Sequence, residues 1–325
     1  LFIHLNTHVP SCSPLFWATC MALALMCFHQ RPYAVGRYCC AVRLKVNPTM
    51  DILTQLNKLC DQDAYLELKP QSKMPIANDW PNQGNPLDEV ITPDGNLGLI
   101  LGAKSGILDV DLDCREAKVL ADIILPVPHA VFDRGSTDSG HYLYQALSFG
   151  PRKAFNADGT KSTLVELRGD GSQTMIPPSM HPNGSLLIFT AFNGEEAKVK
   201  YDALLRSVSM LAACSEIAQN WREGHRHDLA LAFAGLCLKQ GVEHNLITQI
   251  VQRICDINGD LDVDDRLNAI RTSYAQPADS LLGYNGLVDC LDQSKAKRIA
   301  DRIAAYSGRG FSTNIAVMEA IEGDL

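Results

Sequence analysis

The chain has 325 residues, 46% of them hydrophobic and 20% charged, and its 29 Lys+Arg against 37 Asp+Glu give a net charge of −8. That composition excludes a collagen-like repeat, a disulfide miniprotein and a polytopic membrane protein, and it argues against a generic, charge-driven nucleic-acid coat while leaving room for a local basic groove. The length fits one large domain or two ordinary ones.

Residues 1–49 contain no Asp or Glu and hold five of the eleven cysteines (Cys12, Cys20, Cys27, Cys39 and Cys40). Their apolar run from Leu15 to Phe28 falls short of the roughly 20 residues that span a bilayer. It also lacks the preceding positive charge and the following small-residue cleavage site of a secretory signal. Met50 opens a well-patterned stretch, so Met50 reads as the start of the folded protein, and residues 1–49 read as a disordered extension or translated upstream sequence. The other six cysteines, Cys60, Cys114, Cys214, Cys237, Cys255 and Cys290, form no C-x-x-C pair. A structural zinc site thus has little support, and the thiols read as reduced, mostly buried groups of a cytoplasmic protein.

From about Asp61 to Ala191, short apolar runs are broken by Gly, Pro and Asn. The pattern predicts strands over Ala64–Leu68, Leu97–Leu101, Gly106–Asp111, Ala130–Asp133, His141–Gln145, Leu164–Arg168 and Leu186–Thr190. It also predicts a helix over Arg115–Leu125, with Ala117, Leu120, Ala121 and Ile124 on one stripe. From about Tyr201 the period becomes helical, with helices predicted over Asp228–Gln240, Glu243–Asn258, Asp262–Tyr274 and Ser294–Ser307. Gly241 and Gly259 serve as stops. The expected class is α+β followed by a small all-α module over 201–308, with a flexible tail from 309.

The sharpest local feature is Leu108-Asp109-Val110-Asp111-Leu112-Asp113. On a strand, alternate residues share a face, so Asp109 and Asp111 project together and Asp113 lies just beyond. Crowded carboxylates repel unless a divalent cation neutralises them. The bland alternative is a solvated acidic strand end. A calcium loop of the EF-hand type fails here, because Cys114 and Leu120 stand where Gly and Glu are required. The stretch Asp260-Leu261-Asp262-Val263-Asp264 fails likewise and reads as an acidic helix start. Next, a turn-rich stretch ending Asp138-Ser139-Gly140 delivers His141 to a strand, with Arg134 seven residues earlier as an anion contact. A lone histidine there is most often simply hydrogen-bonded. Third, Glu166 and Arg168 share a strand face, and Pro177-Pro178-Ser179 and His181 follow. Such an acid–guanidinium pair is an ordinary ion pair unless a metal makes it a ligand beside a phosphate clamp. Gly98 to Ser105 has the wrong spacing for a P-loop, so no ATPase motor is recognisable.

In order and context, these motifs resemble the bifunctional DNA primase–polymerase domain of the archaeo-eukaryotic primase superfamily, in the subgroup of phage and plasmid replication proteins. The resemblance runs from Leu66-Glu67-Leu68-Lys69-Pro70, Lys73-Met74-Pro75 and Trp80, through Asn96-Leu97-Gly98, the aspartates, Phe132-Asp133-Arg134-Gly135-Ser136 and Ser139-x-His141, to Pro177-Pro178-Ser179 and His181-Pro182-Asn183-Gly184. Asn220-Trp221-Arg222-Glu223-Gly224-His225-Arg226-His227 is similar to the opening of helical modules that follow such domains. The resemblance implies an RRM-like catalytic domain over 50–200 and a primase C-terminal-like module over 201–308. It implies Asp109, Asp111 and Glu166 as ligands of Mg²⁺ or Mn²⁺, with the ligand pair shifted to Asp111/Asp113 as the alternative. It implies His141 on the nucleotide triphosphate, supported by Ser139, with Arg168, Arg134, Ser179 and His181 as nucleotide or template contacts. The partners implied are single-stranded DNA, nucleoside triphosphates and a separate helicase, with no membrane. Two rivals remain: a metal-dependent phosphohydrolase or nuclease built on His227-Asp228, and a non-catalytic replication-initiation DNA-binding protein.

Overall fold

Strand alternation and helical periodicity together produce a mixed α+β sheet region followed by a helical C-terminal region. The computed structural model describes residues 51–92, 95–135, 138–157, 162–193 and 198–308, all within one compact unit. The leading 49 residues, Ser136 and the tail from 309 lie outside the described residues.

The described chain begins with helix α1 (Ile52–Leu59), whose N-cap Asp51 accepts from Thr54 N–H at 3.0 Å. Strand β1 (Tyr65–Leu68), the short helix α2 (Leu87–Val90) and β2 (Asn96–Ile100) follow. Then come β3 (Ile107–Leu112), α3 (Arg115–Ile124), β4 (Ala130–Asp133), β5 (Gly140–Gln145), β6 (Lys153–Asn156), β7 (Thr163–Arg168), β8 (Gln173–Ile176) and β9 (Ile188–Phe192). The strands form two antiparallel sheets, a small one ordered β1-β2-β8 and a larger one ordered β6-β7-β3-β5-β4-β9. The chain crosses between sheets at the turn after β2, where Gly102 adopts φ +82° and a Cβ would lie 2.1 Å from Asp170 Oδ1. Only glycine fits that turn.

The alternation of β3 explains how the layers pack. Leu108, Val110 and Leu112 join Val131, Tyr142, Tyr144, Val165 and Leu167 in the core shared with the helices. Ile107, Ala130, Phe132 and Leu143 face the other way, into a second core with Leu66, Leu68, Leu97, Leu99 and Ile176 of the small sheet. The face carrying Asp109 and Asp111 is therefore the one covered by a second sheet.

The helical region comprises α4 (Tyr201–Gln219), α5 (Arg226–Lys239), α6 (His244–Asn258), α7 (Val263–Tyr274), α8 (Gly283–Cys290) and α9 (Gln293–Ser307). Helix α4 packs against α3, β7 and α9 and is buried nearly all round from Val208 to Ala218. Small residues such as Ala212, Ala213 and Ala218 permit that enclosure. Gly259 caps α6 at φ 60°, in the left-handed conformation.

The predicted strands and helices are present with shifts of a few residues at their ends. Strand β9 begins two residues later than expected because Leu186 bridges Met180 and Leu187 N–H bonds Ser179 O instead. The pattern missed β6, where only Phe155 is buried, and the four-residue β8. It also left α4 undelimited, since a helix buried on every side has little apolar period. The acidic stretch does open α7, with Asp262 at the N-cap and Asp264 in the first turn, and Asp260 just ahead of it is buried at 3% exposed. The six described cysteines are free thiols, and among the described residues no helix is long and apolar enough to cross a membrane.

Candidate active site

Strand β3 lies between β5 and β7 in the sheet, and its register decides what meets what. Asp111 stands opposite His141 on β5 and Glu166 on β7, while Asp109 stands opposite Leu143 and Arg168. Directly opposed side chains in an antiparallel sheet lie about 5 Å apart at Cβ, so His141, Asp111 and Glu166 form a row across three strands. Two-residue periodicity brings Asp109, Asp113 and Arg168 onto the same face.

The ionic contacts follow from that row. His141 Nδ1 lies 3.0 Å from Asp109 Oδ2, and its Nε2 lies 3.6 Å from Asp111 Oδ1. The Phe132 ring stacks on the imidazole at 4.4 Å between centroids and 7° between planes. The Arg168 guanidinium touches Glu166 Oε2 and Asp111 Oδ2, and stands 3.9 Å from Asp109 Oδ2. Arg152 reaches Glu166 Oε1 from the solvent side.

These charges set the protonation of the site. Burial alone would raise the Asp109 carboxyl, but His141 and Arg168 outweigh it and hold the group below its ordinary value. Burial would likewise lower His141, yet Asp111 and Asp109 hold it above its ordinary value, so the ring donates from Nδ1. Asp113 is pushed up to about 6 by burial and then by Asp111 and Glu166.

A cavity of about 130 Å³ opens between the two sheets. The large sheet contributes Asp111, His141 and Arg168, the small sheet Gln173, Thr174 and Met175, and the loops Lys73, Asp113, Arg134, Ser139 and His181. Arg134 Nη2 donates to Ser139 Oγ at 2.8 Å, and its Nη1 lies 3.5 Å from His181 Nε2. Burial and the cations of Lys73, Arg134 and His141 hold the His181 imidazole below its ordinary value. Lys118, on α3, spans the ends of the loop between β4 and β5, donating to Asp133 Oδ2 and to Ser139 O at 2.8 Å each.

The structure thus gathers Asp111, Glu166, His141, Arg168, Arg134, Ser139 and His181 around one site. Three of the expected site residues, Asp109, Glu166 and Ser179, do not line the cavity. Asp109, 0% exposed beside His141 and Arg168, and Glu166, 2% exposed beside Arg168, are buried behind the cavity, whereas Asp113 lines it. Asp111 and Asp113 both line it. Ser179 makes no approach to the cavity; it is 0% exposed, and its Oγ accepts from Leu97 N–H at 2.8 Å and donates to Leu97 O at 3.2 Å. Both hydroxyl valences are spent holding the small sheet. Sequence reasoning gave no site role to Lys73, Gln173, Thr174, Lys118 or Phe132. Lys73 lies in a loop far ahead of the aspartates, and only the packing of one sheet on the other brings it there.

The donor set suits a hard divalent cation, since four carboxylates face one imidazole and one half-buried guanidinium and all the anionic donors are oxygens. Among the described residues no three His, Cys, Asp or Glu side chains are already arranged as a ligand cluster; the Arg168 fork stands among the carboxylates instead. The His227-Asp228 pair has no such company. His227 Nδ1 bonds Asp265 Oδ2 at 2.7 Å on the exposed surface, and Arg226 lies 3.4 Å from buried Asp260, so both residues tie the start of α5 to the segment around α7.

No curated protein matches the chain. Residues 40–191 match the family model for the bifunctional DNA primase/polymerase N-terminal domain, and this part of the chain is a domain of that family.

Proposed function

From a chain that carries a bifunctional primase/polymerase domain, we propose template-directed nucleotidyl transfer on single-stranded DNA, making or extending primers from nucleoside triphosphates. The observation that carries this reading is the row His141–Asp111–Glu166 across three adjacent strands, whose members His141 and Asp111 line a cavity rimmed by Lys73, Arg134 and His181. Carboxylates on the central strand of an antiparallel sheet also fit the RRM-like catalytic sheet that the family resemblance implies.

Asp109, Asp111 and Glu166, or Asp111 and Asp113 as the alternative pair with Glu166, would hold Mg²⁺ or Mn²⁺. When bound, such ions neutralise charge on the nucleotide phosphates and make a primer 3′-hydroxyl more acidic, the chemistry of two-metal phosphoryl-transfer sites. The protein's own groups do the rest. His141 presents its Nε2 edge to the triphosphate, and the Arg168 fork offers paired donors of the kind that grip phosphate oxygens. Arg134, steadied by Ser139, extends the positive wall with Lys73, the His181 imidazole adds a neutral polar edge, and the fixed donors stabilise charge that develops on the leaving pyrophosphate. The single-stranded template passes along that locally basic rim. The setting that fits is phage or plasmid replication beside a separate helicase.

The test incubates the full chain with single-stranded DNA, labelled nucleotides and Mg²⁺ or Mn²⁺, and compares it with Asp111→Ala. Template-dependent products that vanish in the variant are expected. Tight strand binding with no products from the wild-type chain would favour a binding module, and template-free phosphate release would favour a phosphohydrolase.

A further inference from the structure

Helix α3 makes polar contacts on two separate sides. Lys118 and Asp122, four residues apart, share one of them. Lys118 donates to Asp133 Oδ2 and to Ser139 O at the two ends of the loop between β4 and β5. Asp122 accepts from Tyr142 O–H at 2.6 Å, one residue along β5 from His141. The Glu116 side chain and the Val119 carbonyl lie on the other side, three residues apart, and the helical region holds both. Gln219 Nε2, at the end of α4, donates to Glu116 Oε2 at 3.2 Å. Arg253 Nη1, on α6, donates to Val119 O at 3.2 Å.

The rest of α3 is apolar and turned inward. Ala117, Leu120, Ala121 and Ile124 are buried in the core that the large sheet shares with the helices, and α3 packs against both α4 and α6. Those two helices are tied to each other where Asn258 Nδ2 donates to Ala218 O at 3.2 Å, so they act on α3 as one wall. Apolar contact is non-directional, and by itself it resists a small slide or roll of α3 along that wall only weakly. The half-buried Arg253 adds the direction. Its guanidinium is spent on a carbonyl 134 residues back in the chain, in the middle of a helix whose backbone already has its own i to i−4 bonds. Val119 is the neighbour of Lys118, so a displacement of α3 at that carbonyl passes directly to both ends of the loop that Lys118 holds.

We propose that Arg253 is a positioning residue for the nucleotide rim: it fixes α3 and, through Lys118, the loop that presents Arg134 and Ser139. The helical region thereby sets nucleotide affinity from a distance, with no contact between Arg253 and the nucleotide. This rests on the reading of Arg134 and Ser139 as part of the nucleotide site.

The experiment is a double-mutant cycle in the full chain, with wild type, Arg253→Met, Lys118→Met and the double variant, and with Arg253→Lys and Ser209→Ala alongside. Methionine keeps the alkyl stem of arginine and removes its donors. Ser209→Ala breaks a different buried contact of the helical region, from Ser209 Oγ to Arg302 O at 3.1 Å, and leaves α3 alone. Two quantities are read: KM against kcat for a nucleoside triphosphate on primed single-stranded DNA, and hydrogen exchange of the Gly135 amide, which donates to Asp133 Oδ1 at 2.7 Å. Arg253→Met is expected to raise KM about three- to tenfold with kcat within about twofold of wild type, the scale on which residues remote from a ligand alter its binding. Exchange at Gly135 should quicken with it. In the Lys118→Met background the same change should add less than about twofold to KM, because residues that act in series are not additive. Arg253→Lys keeps a cationic donor and should lie closer to wild type than Arg253→Met, while Ser209→Ala should leave both quantities at the wild-type value. The proposal is overturned by an unchanged KM in Arg253→Met when Lys118→Met raises it, by full multiplication of the two effects in the double variant, or by an equal rise in Ser209→Ala. Failure of the underlying nucleotide reading has a different mark: Gly135 exchange quickens in both Arg253→Met and Lys118→Met while KM moves in neither.

Discussion

Replacing Lys118 by Met tests whether the loop between β4 and β5 is anchored to α3, and whether that anchor matters to the site. The ammonium makes hydrogen bonds of 2.8 Å to Asp133 Oδ2 and to Ser139 O, one at each end of the loop. Each bond involving a charged group contributes about 1.5–3 kcal/mol net. Removing one partner of a fully buried ion pair costs about 3–5 kcal/mol, but here water reaches both partners, the side chains being 21% and 11% exposed. Asp133 Oδ1 also keeps the Gly135 N–H at 2.7 Å. The expected loss is therefore about 2–3 kcal/mol, within the range for a charged hydrogen bond and below that for a fully buried pair. Urea unfolding followed by circular dichroism measures it directly as a shift in midpoint at constant slope. Because Ser139 then loses its tether and carries Arg134 with it, KM for nucleotide should rise about tenfold, well inside the penalty for ångström-scale misplacement of a binding group. Lys118→Arg should recover most of both effects. A Lys118→Met protein within about 0.5 kcal/mol of wild type would refute the anchoring argument, and a destabilised protein with unchanged KM would refute the link from anchor to site.

Three further outcomes are expected. Ser179→Ala should cost about 1–3 kcal/mol, because it strips hydrogen bonds from the buried Leu97 backbone, while KM for nucleotide stays at the wild-type value; a raised KM would return Ser179 to the site. Glu216→Ala should cost about 3–5 kcal/mol in urea unfolding, since Glu216 joins Arg298 and Arg302 between α4 and α9, and Arg302 in turn donates to Asn156 O at 2.7 Å beside β6; a loss under about 1 kcal/mol would show that the network carries little of the packing between sheet and helices. At Asp260, burial pushes the carboxyl up but the donors of Arg266 and Trp221 outweigh it and hold the group below its ordinary value. A depressed acid contributes stability that is present above its unfolded value, near 3.9, and is lost as pH falls through the folded value. Acid unfolding of Asp260→Asn should therefore be flatter below about pH 4 than that of wild type, and parallel curves would count against the pairing.

Much of the site's architecture was legible in the chain itself. Two-residue alternation through Leu108-Asp109-Val110-Asp111-Leu112 was enough to put the acids on one face and the apolar residues on the other, because strand geometry leaves no alternative. The pairing of Glu166 with Arg168 came from the same rule. The helices α3, α6, α7 and α9 announced themselves by an apolar stripe with polar residues opposite. Helix α4 did not, since its surroundings are apolar on every side and periodicity fades when no face meets water.

Depth and company were not local properties. Parity says which side a residue faces and nothing about what covers that side, so the burial of Asp109 under the small sheet and the place of Asp113 on the cavity could not be read from it. Ser179 and Lys73 were placed by the same kind of contact: the hydroxyl bonds Leu97, some eighty residues back in the chain, and the packing of its loop brings the lysine to the cavity. The identities of the charged groups and the faces they occupy belong to the sequence. The register that sets His141 and Glu166 beside Asp111, and the layer that decides which carboxylates meet solvent, come only from contacts between segments far apart in the chain, whose energies no short stretch of residues contains.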